Sequence, residues 1–254
     1  MKLKFLGTGT SQGVPVIACH CEVCRSLNSK DKRFRSSALV TTDSGKKILI
    51  DCGPDFRMQM LDNKEEQIDA VFLTHEHNDH VIGLDDLRPL IFRNKKNIDL
   101  YCQKRVGEEV KSRFSYAFSD IKYMGAPSFN LHEIDQPFSI FDTEVITVEV
   151  LHYQLKILGF KFKNLAYITD ASSISDQEKE KFKNLDYLIL NCIRREDLHP
   201  AHFILPQVLE LFEELQPKKL YLTHISHHLG LHNEVEQELP ENVHLAYDGF
   251  ELQF

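Results

Sequence analysis

The sequence predicts a mixed α/β fold, and three observations carry that prediction. Apolar runs of strand length recur along the chain, each ending abruptly in a polar residue. They span residues 47–50 before Asp51, 70–74 before His75, 145–151 before His152, 165–169 before Asp170, 187–190 before Asn191 and Cys192, and 219–223 before His224. Several are almost continuously apolar, as in strands buried on both faces. Helical periodicity lies between them. Val106, Val110, Phe114 and Phe118 recur every fourth residue, and Leu205, Val208, Leu209, Phe212 and Leu215 form a stripe opposite Glu210, Glu213 and Glu214. Finally, 254 residues with 42% hydrophobic content and 17 Phe suffice for a large core, and no linker divides the chain, so one domain over residues 1–254 is expected.

Taken in order, the N-terminus has no apolar stretch long enough for a secretory signal, and no window approaches a membrane span. A reducing cytoplasm is therefore expected, with the six cysteines as thiols or metal ligands rather than disulfides. Residues 7–13 form a glycine-rich loop that lacks the Gly-Lys-Ser/Thr ending of a nucleotide-binding P-loop. Cys19, Cys21 and Cys24 are too dense for a disulfide framework and suit a tetrahedral zinc site, whose fourth ligand is open among His20, His227 and His228. Cys52, Cys102 and Cys192 sit in apolar surroundings and read as small hydrophobes.

The run at 70–74 leads into His75-Glu76-His77-Asn78-Asp79-His80. A buried strand ending in imidazoles and a carboxylate is poor core material, because unpaired polar groups there cost free energy that coordination would offset. His-x-His offers two ligands to one ion, and Asp-His offers oxygen and nitrogen to another, so the cluster reads as a binuclear metal centre. Further on, residues 175–183 are charged, helix-prone and expected to be exposed, and Pro217 stops the 205–215 helix. Leu73-Thr74-His75 and Leu222-Thr223-His224 echo one another, as two α/β halves meeting at a shared metal site would. The net charge of -8 and a pI near 5.9 weigh against non-specific nucleic-acid binding, which draws on Lys and Arg.

Asp51, the 75–80 cluster, His152, Asp170 and His224, each following a strand-like run, resemble the five signature motifs of the metallo-β-lactamase superfamily, over nearly the whole chain. The resemblance implies a four-layer αββα sandwich with the metals at one edge of its paired sheets. It implies that His75, His77 and His152 hold one divalent ion, that Asp79, His80 and His224 hold another, and that Asp170 bridges them, with zinc and manganese both suited to such ligands. Asp51 is then an orienting residue rather than a ligand.

A finer resemblance rests on the 7–15 loop, the cysteine cluster, Asp51-Cys52-Gly53-Pro54-Asp55-Phe56-Arg57, Leu84-Asp85-Asp86-Leu87-Arg88-Pro89, His199-Pro200-Ala201-His202 and Leu222-Thr223-His224-Ile225-Ser226-His227. This combination is similar to the PhnP branch, cyclic phosphodiesterases named for an enzyme that opens ribosyl 1,2-cyclic phosphates. It implies a structural zinc on Cys19, Cys21, Cys24 and His227. Asp170, Asp79 and His202 become the catalytic residues, His202 serving the leaving oxygen, while Arg88, Arg57 and His202 face the substrate phosphate. His199 is read as structural. The implied partner is a small phosphorylated substrate, with neither nucleic acid nor membrane, and the protein is implied to be a homodimer.

Two rivals are weighed. A tRNA 3′-processing endonuclease shares the metal motifs, but residues 153–169 leave no room for an RNA-gripping arm. A thioester or lactone hydrolase would not account for the cysteine cluster.

Overall fold

A computed structural model describes residues 1–119, 121 and 123–254. Strands β1 (Lys2–Gly7), β2 (Ser37–Thr41), β3 (Lys47–Ile50), β4 (Ala70–Phe72), β5 (Ile98–Cys102) and β6 (Phe129–Glu133) lie side by side in the first sheet. The second holds β7 (Phe138–Ile140), β8 (Thr143–His152), β9 (Leu155–Phe162), β10 (Leu165–Tyr167), β11 (Tyr187–Asn191), β12 (Lys219–Thr223) and β13 (Val243–Leu245), again in chain order. The last strand, β14 (Glu251–Gln253), returns to pair with β1. Each sheet changes character once. Pairing is antiparallel from β1 to β3 and parallel from β3 to β6; it is antiparallel from β7 to β10 and parallel from β10 to β13.

Alternation along the strands assigns three cores. Ala70 and Phe72 point into the core between the sheets with Ile48, Ile50, Phe160 and Tyr167, whereas Val71 and Leu73 point the other way with Leu49 and Leu100. That outer core is closed by the helices Phe56–Asp62, Arg88–Asn94 and Lys104–Arg113, which contribute Met60, Ile91, Val106 and Val110. On the far side, Ile168, Leu188, Leu190 and Leu222 meet the helices Leu205–Leu215 and His232–Glu238 through Val208, Leu211 and Val235. The expected four-layer αββα sandwich is the observed one. Among the described residues no helix is long and apolar enough to cross a membrane.

Some boundaries differ from expectation. The periodic segment from Val106 to Phe118 is two helices, because Phe114 (φ -110°, ψ 40°) breaks it between Lys104–Arg113 and Ser115–Phe118. The run at 145–151 is not buried on both faces: β8 alternates buried and more open positions, with Glu144 and Leu151 exposed. Residues 175–183 form a short helix, Asp176–Lys179, capped by the Ser175 side chain, and then a 3-10 turn that buries Phe182.

Candidate metal centre

The strand ends converge on one edge of the sandwich, and the backbone there is bent to suit. Asp51, Asp170 and His224 follow β3, β10 and β12 with left-handed φ of 61°, 59° and 52°. That region is costly for residues other than glycine and is typical of functional sites. Close backbone approach fixes the 75–80 loop against β3. A Cβ on Gly53 would stand 2.1 Å from the Asp79 carbonyl oxygen, and one on Gly83 would stand 1.9 Å from that of Gly53. Only glycine fits either position.

Each of four imidazoles has one nitrogen tied to a hydrogen-bond acceptor, which leaves the other for the centre. His80 Nδ1 donates to Asp51 Oδ2 at 2.6 Å. Asp51 also accepts from the Thr74 amide at 2.8 Å and from Thr74 Oγ1 at 2.8 Å, so Thr74 Oγ1 is free to accept from His75 Nδ1 at 2.9 Å. His152 Nδ1 lies 2.8 Å from both the Asp170 and the Ala201 carbonyl oxygens. His224 Nδ1 lies 2.9 Å from Asp170 Oδ1 and 3.1 Å from Ser36 Oγ, which itself donates to the Gly9 carbonyl. The Nε2 atoms of His80 and His224 are buried without any hydrogen-bond partner. A buried polar atom with no partner is expensive, so these nitrogens fit ligands better than structural histidines.

Geometry gathers the ligand atoms into overlapping groups, each within 4.8 Å: His75, His77 and His152; His75, His80 and Asp170; His152, Asp170 and His202; and Asp79, Asp170 and His224. His75 Nε2 and His77 Nδ1 are 3.0 Å apart, close to the roughly 2.9–3.4 Å of two nitrogens bound at about 2.0–2.1 Å to one ion. His80 Nε2 is 3.2 Å from Asp79 Oδ2 and 3.4 Å from Asp170 Oδ2, and His75 Nε2 is 3.9 Å from Asp170 Oδ2. Asp170 thus lies between the groups, where a bridging carboxylate is needed.

The charges agree. Burial pushes the Asp170 carboxyl up, but His224 and His80 outweigh it and hold the group well below the usual range. Burial opposes ionisation of Asp79 as well, and His80 overrides it. Burial alone would discharge His80, yet Asp170, Asp51 and Asp79 hold its proton well above the ordinary value. The buried Asp51 and Asp170 and the partly buried Asp79 around these rings call for positive charge, which divalent ions would supply.

His202 is brought to the same place. Its ring centroid lies 4.8 Å from that of His152 and 4.9 Å from that of His224, and its Nδ1 has no partner. Burial, then His224, push it down to about 3, so it stands there as a neutral imidazole with an N–H to donate. His199 packs 4.8 Å from His202 and accepts from the Ala201 amide, a supporting position.

The two arginines are not brought to the cluster. Arg88 is ion-paired with Asp85, whose other oxygen accepts from Tyr116 Oη at 2.5 Å. Arg57 reaches only the Met58 sulfur and lines a separate hollow with Asp86 and Pro89.

The cysteine triad closes on the far side of the same loop. His227 Nδ1 is 3.3 Å from Cys19 Sγ and 3.2 Å from Cys21 Sγ, and with Cys24 Sγ all four atoms lie within 4.8 Å of one another. Tetrahedral ligands at about 2.3 Å (sulfur) and 2.0–2.1 Å (nitrogen) stand roughly 3.6–3.8 Å apart, so the cage is of zinc size. Of the three rival histidines, it is His227 that closes it. The 19–24 loop is thereby joined to the loop carrying His224.

Sequence reasoning missed the residues that hold the 75–80 loop in place. Arg113 donates to the Glu76 carbonyl at 2.6 Å and to Asn78 Oδ1 at 2.8 Å, and Arg105 pairs with the Glu76 carboxylate while donating to the Lys156 carbonyl at 2.7 Å. The only signal was indirect: two polar residues interleaved with the ligands needed partners.

Comparison with known proteins identifies the family. The β-lactamase superfamily domain family matches residues 46–225. A solved diphosphatase from the PhnP family superposes with a TM-score of 0.92 at 39% identity, covering 100% of this chain and 97% of that one. A Porphyromonas gingivalis protein named octanoyltransferase is 41% identical over 253 residues, which are 99% of this chain but 51% of that protein. Ribonuclease Z of Lactococcus lactis subsp. cremoris is 28% identical over 187 residues, 69% of this chain and 55% of its own length. The chain thus spans about half the length of the curated relatives it matches. Carrying the ligand series, the two-sheet fold and a family match over most of its length, the chain belongs to the metallo-β-lactamase superfamily, within its PhnP-like branch.

Proposed function

We propose that the chain hydrolyses a P–O bond in a small phosphorylated substrate, as a binuclear metal-dependent phosphodiesterase, with opening of a five-membered ribosyl cyclic phosphate as the specific reaction. The observation that carries this reading is the convergence of the His75, His77, His80, His152 and His224 nitrogens with Asp79 and Asp170, with His202 packed against His152 and His224. These residues would hold two divalent ions, zinc or manganese, whose chemistry when bound would be activation of water near neutral pH and neutralisation of phosphoryl charge.

The chain's own residues do the rest. Asp51, Thr74, Ser36 and the Ala201 carbonyl hold each imidazole in one tautomer, so no reorganisation is needed when substrate arrives. His202 presents its N–H to the leaving oxygen, and Arg113 and Arg105 keep the ligand loop from yielding. Cys19, Cys21, Cys24 and His227 would hold a zinc that ties the 19–24 segment to the loop carrying His224.

The full-length likeness to a diphosphatase supports phosphoryl chemistry more strongly than the names of half-matched relatives support theirs. Outside the Cys19, Cys21, Cys24 and His227 cage, no cysteine among the described residues suits acyl transfer through a thiol. Cys52, Cys102 and Cys192 are buried, and burial pushes each thiol up, that of Cys102 to about 12. An RNA-binding arm between His152 and Asp170 is replaced by the tight turn at Tyr153 and Gln154 that joins β8 to β9.

The test is metal analysis of purified protein, alongside turnover of ribosyl 1,2-cyclic phosphate, an aryl phosphodiester, precursor tRNA and an octanoyl thioester. Three metals per chain with diester turnover is the expected result. Cleavage of precursor tRNA or of the thioester, without turnover of small diesters, would replace this reading.

A further inference from the structure

We propose that the hollow at the β13 edge of the second sheet is a second ligand site, one that takes a planar aromatic ring bearing a carboxylate or a phosphate. It lies away from the metal centre. Lys219 on its rim opens β12, whose other end leads into His224, roughly 16 Å of strand further on. Its volume is about 420 Å³, within the range of small-molecule sites.

The hollow is lined by a buried histidine with one nitrogen to spare. His232 is 2% exposed, and its Nδ1 accepts from the Arg33 guanidinium at 3.1 Å. A guanidinium can only donate, so the imidazole proton is on Nε2. Burial and then Arg33, which push His232 down to about 4, favour the same neutral ring. Among the described residues the Nε2–H has no acceptor. Arg33 is buried and donates also to Thr8 Oγ1 at 2.8 Å and to the Ala246 carbonyl at 2.6 Å, so the ring is held in place before a ligand arrives.

The rim is cationic. Lys30 and Lys219 both border the hollow, and among the described residues neither forms an ion pair, although acids outnumber bases 38 to 30 in the chain. The one carboxylate among the described lining residues, Glu236, is turned to His244 Nδ1 at 2.9 Å and to the Leu245 amide at 2.7 Å. An anion there would meet two unpaired ammoniums and an N–H donor.

Aromatic rings supply the wall. The Phe250 centroid stands 5.3 Å from that of Tyr221 and 5.2 Å from that of Tyr247. A cation is the other kind of ligand such a wall could take. Lys30 already lies over the Tyr247 ring, 4.5 Å from its centroid, and a free cation would stand between like charges.

Calorimetry on the metal-loaded protein tests this with two aromatic anions, indole-3-acetate and adenosine monophosphate. Indole-3-ethanol and adenosine supply the rings without the charge, acetate and ribose 5-phosphate the charge without the ring, and tryptamine the opposite charge. At least one aromatic anion should bind about tenfold or more tighter than both of its counterparts, and which one does so identifies the anionic group. Among the described residues neither the Lys219 ammonium nor the Tyr247 hydroxyl makes a hydrogen bond, so Lys219→Gln and Tyr247→Leu should fold like the parent. Each should weaken that binding about tenfold, as expected for one lost contact to a charged group or one lost stacking surface. In nitrogen NMR spectra of histidine-labelled protein the His232 Nε2 resonance, identified by its loss in His232→Gln, should move on saturation. Binding that survives both substitutions, or that leaves this resonance unmoved, is binding at the metals and would overturn the proposal. So would no binding by either anion, or a preference for tryptamine.

Discussion

Replacing Asp51 by Asn tests how this centre is preorganised. Asp51 is fully buried, and its two oxygens accept three hydrogen bonds: the Thr74 amide on Oδ1, and Thr74 Oγ1 and His80 Nδ1 on Oδ2. An asparagine has the same shape but only one acceptor oxygen. If its NH2 group takes the place of Oδ2, it faces the His80 N–H across 2.6 Å; if it takes the place of Oδ1, it faces the Thr74 amide across 2.8 Å. Either way a buried donor loses its acceptor, at about 1–3 kcal/mol.

In the first arrangement His80 escapes only by moving its proton to Nε2, the atom the ion needs. The expected result is a fall of about 10–100-fold in affinity for a catalytic ion, typical of lost orienting partners. That equals about 1.4–2.8 kcal/mol, the range reached independently from the orphaned donor. Competition against a chromophoric chelator measures it, with total zinc counted in parallel. The cysteine-bound zinc should be retained, because Asp51 touches none of its ligands. If Asp51→Asn binds both catalytic ions as tightly as the parent, Asp51 does not orient His80 and the account of the centre is wrong.

Other perturbations separate the remaining roles. Cys21→Ser should remove one zinc per chain; losing even 2 of the roughly 10–16 kcal/mol with which such sites bind zinc lowers Tm by about 4–8 °C. An unchanged zinc count would refute the cage. His202→Ala should lower kcat by about 10²–10⁴-fold with the metal count intact, and loss of an ion would make His202 a ligand instead. Away from the metals, burial and then Arg33 push His232 down to about 4, with Lys30 adding to them and Glu236 and Asp31 opposing. The folded chain therefore binds fewer protons there than the unfolded chain. The stability involved is full above about pH 6.5 and drains by roughly 3 kcal/mol as pH falls through 4. His232→Gln, which still offers Arg33 an acceptor, should lose several degrees less Tm between pH 7 and pH 4.5 than the parent. An equal loss would clear His232 of the effect.

How far such a site can be read from sequence depends on where its chemistry resides. The ligands were legible because imidazole, carboxylate and thiol are informative by type, and each stood where an apolar run stopped. Their supports were not. His152 is held by the main-chain oxygens of Asp170 and Ala201, which any residue would offer. Ser36 meets His224 across 188 positions, and Arg113 meets Glu76 across 37. Arg88 had two uses open in the sequence, phosphate binding by its motif and an ion pair with Asp85 or Asp86 by its neighbours, and it pairs with Asp85. The break at Phe114 was hidden for a related reason: the residue is apolar on an apolar stripe, and backbone angles rather than hydropathy end that helix. Strands in the middle of the sandwich were legible as strands but not by face. Ala70 to Leu73 serve two cores alternately, and both faces want the same residues.

The internal echo shows why this edge of the fold carries the site. Leu73-Thr74-His75 and Leu222-Thr223-His224 suggested two halves in register, but the first segment follows β4 while the second begins inside β12, and the two strands hold different places relative to the change of pairing in their sheets. The true correspondence is between Asp51 and Asp170. Each follows the strand, β3 or β10, at which antiparallel pairing gives way to parallel, and each takes a left-handed φ within 2° of the other, 61° against 59°. At such a switch the connections on either side lead away from one another and leave a crevice at the strand ends. Stacking two sheets with their switches aligned joins the crevices, and a carboxylate from each half then faces the gap. One became the orienting acceptor for His80 and the other the residue between the two ligand groups, so the division of labour follows from which sheet each carboxylate ends.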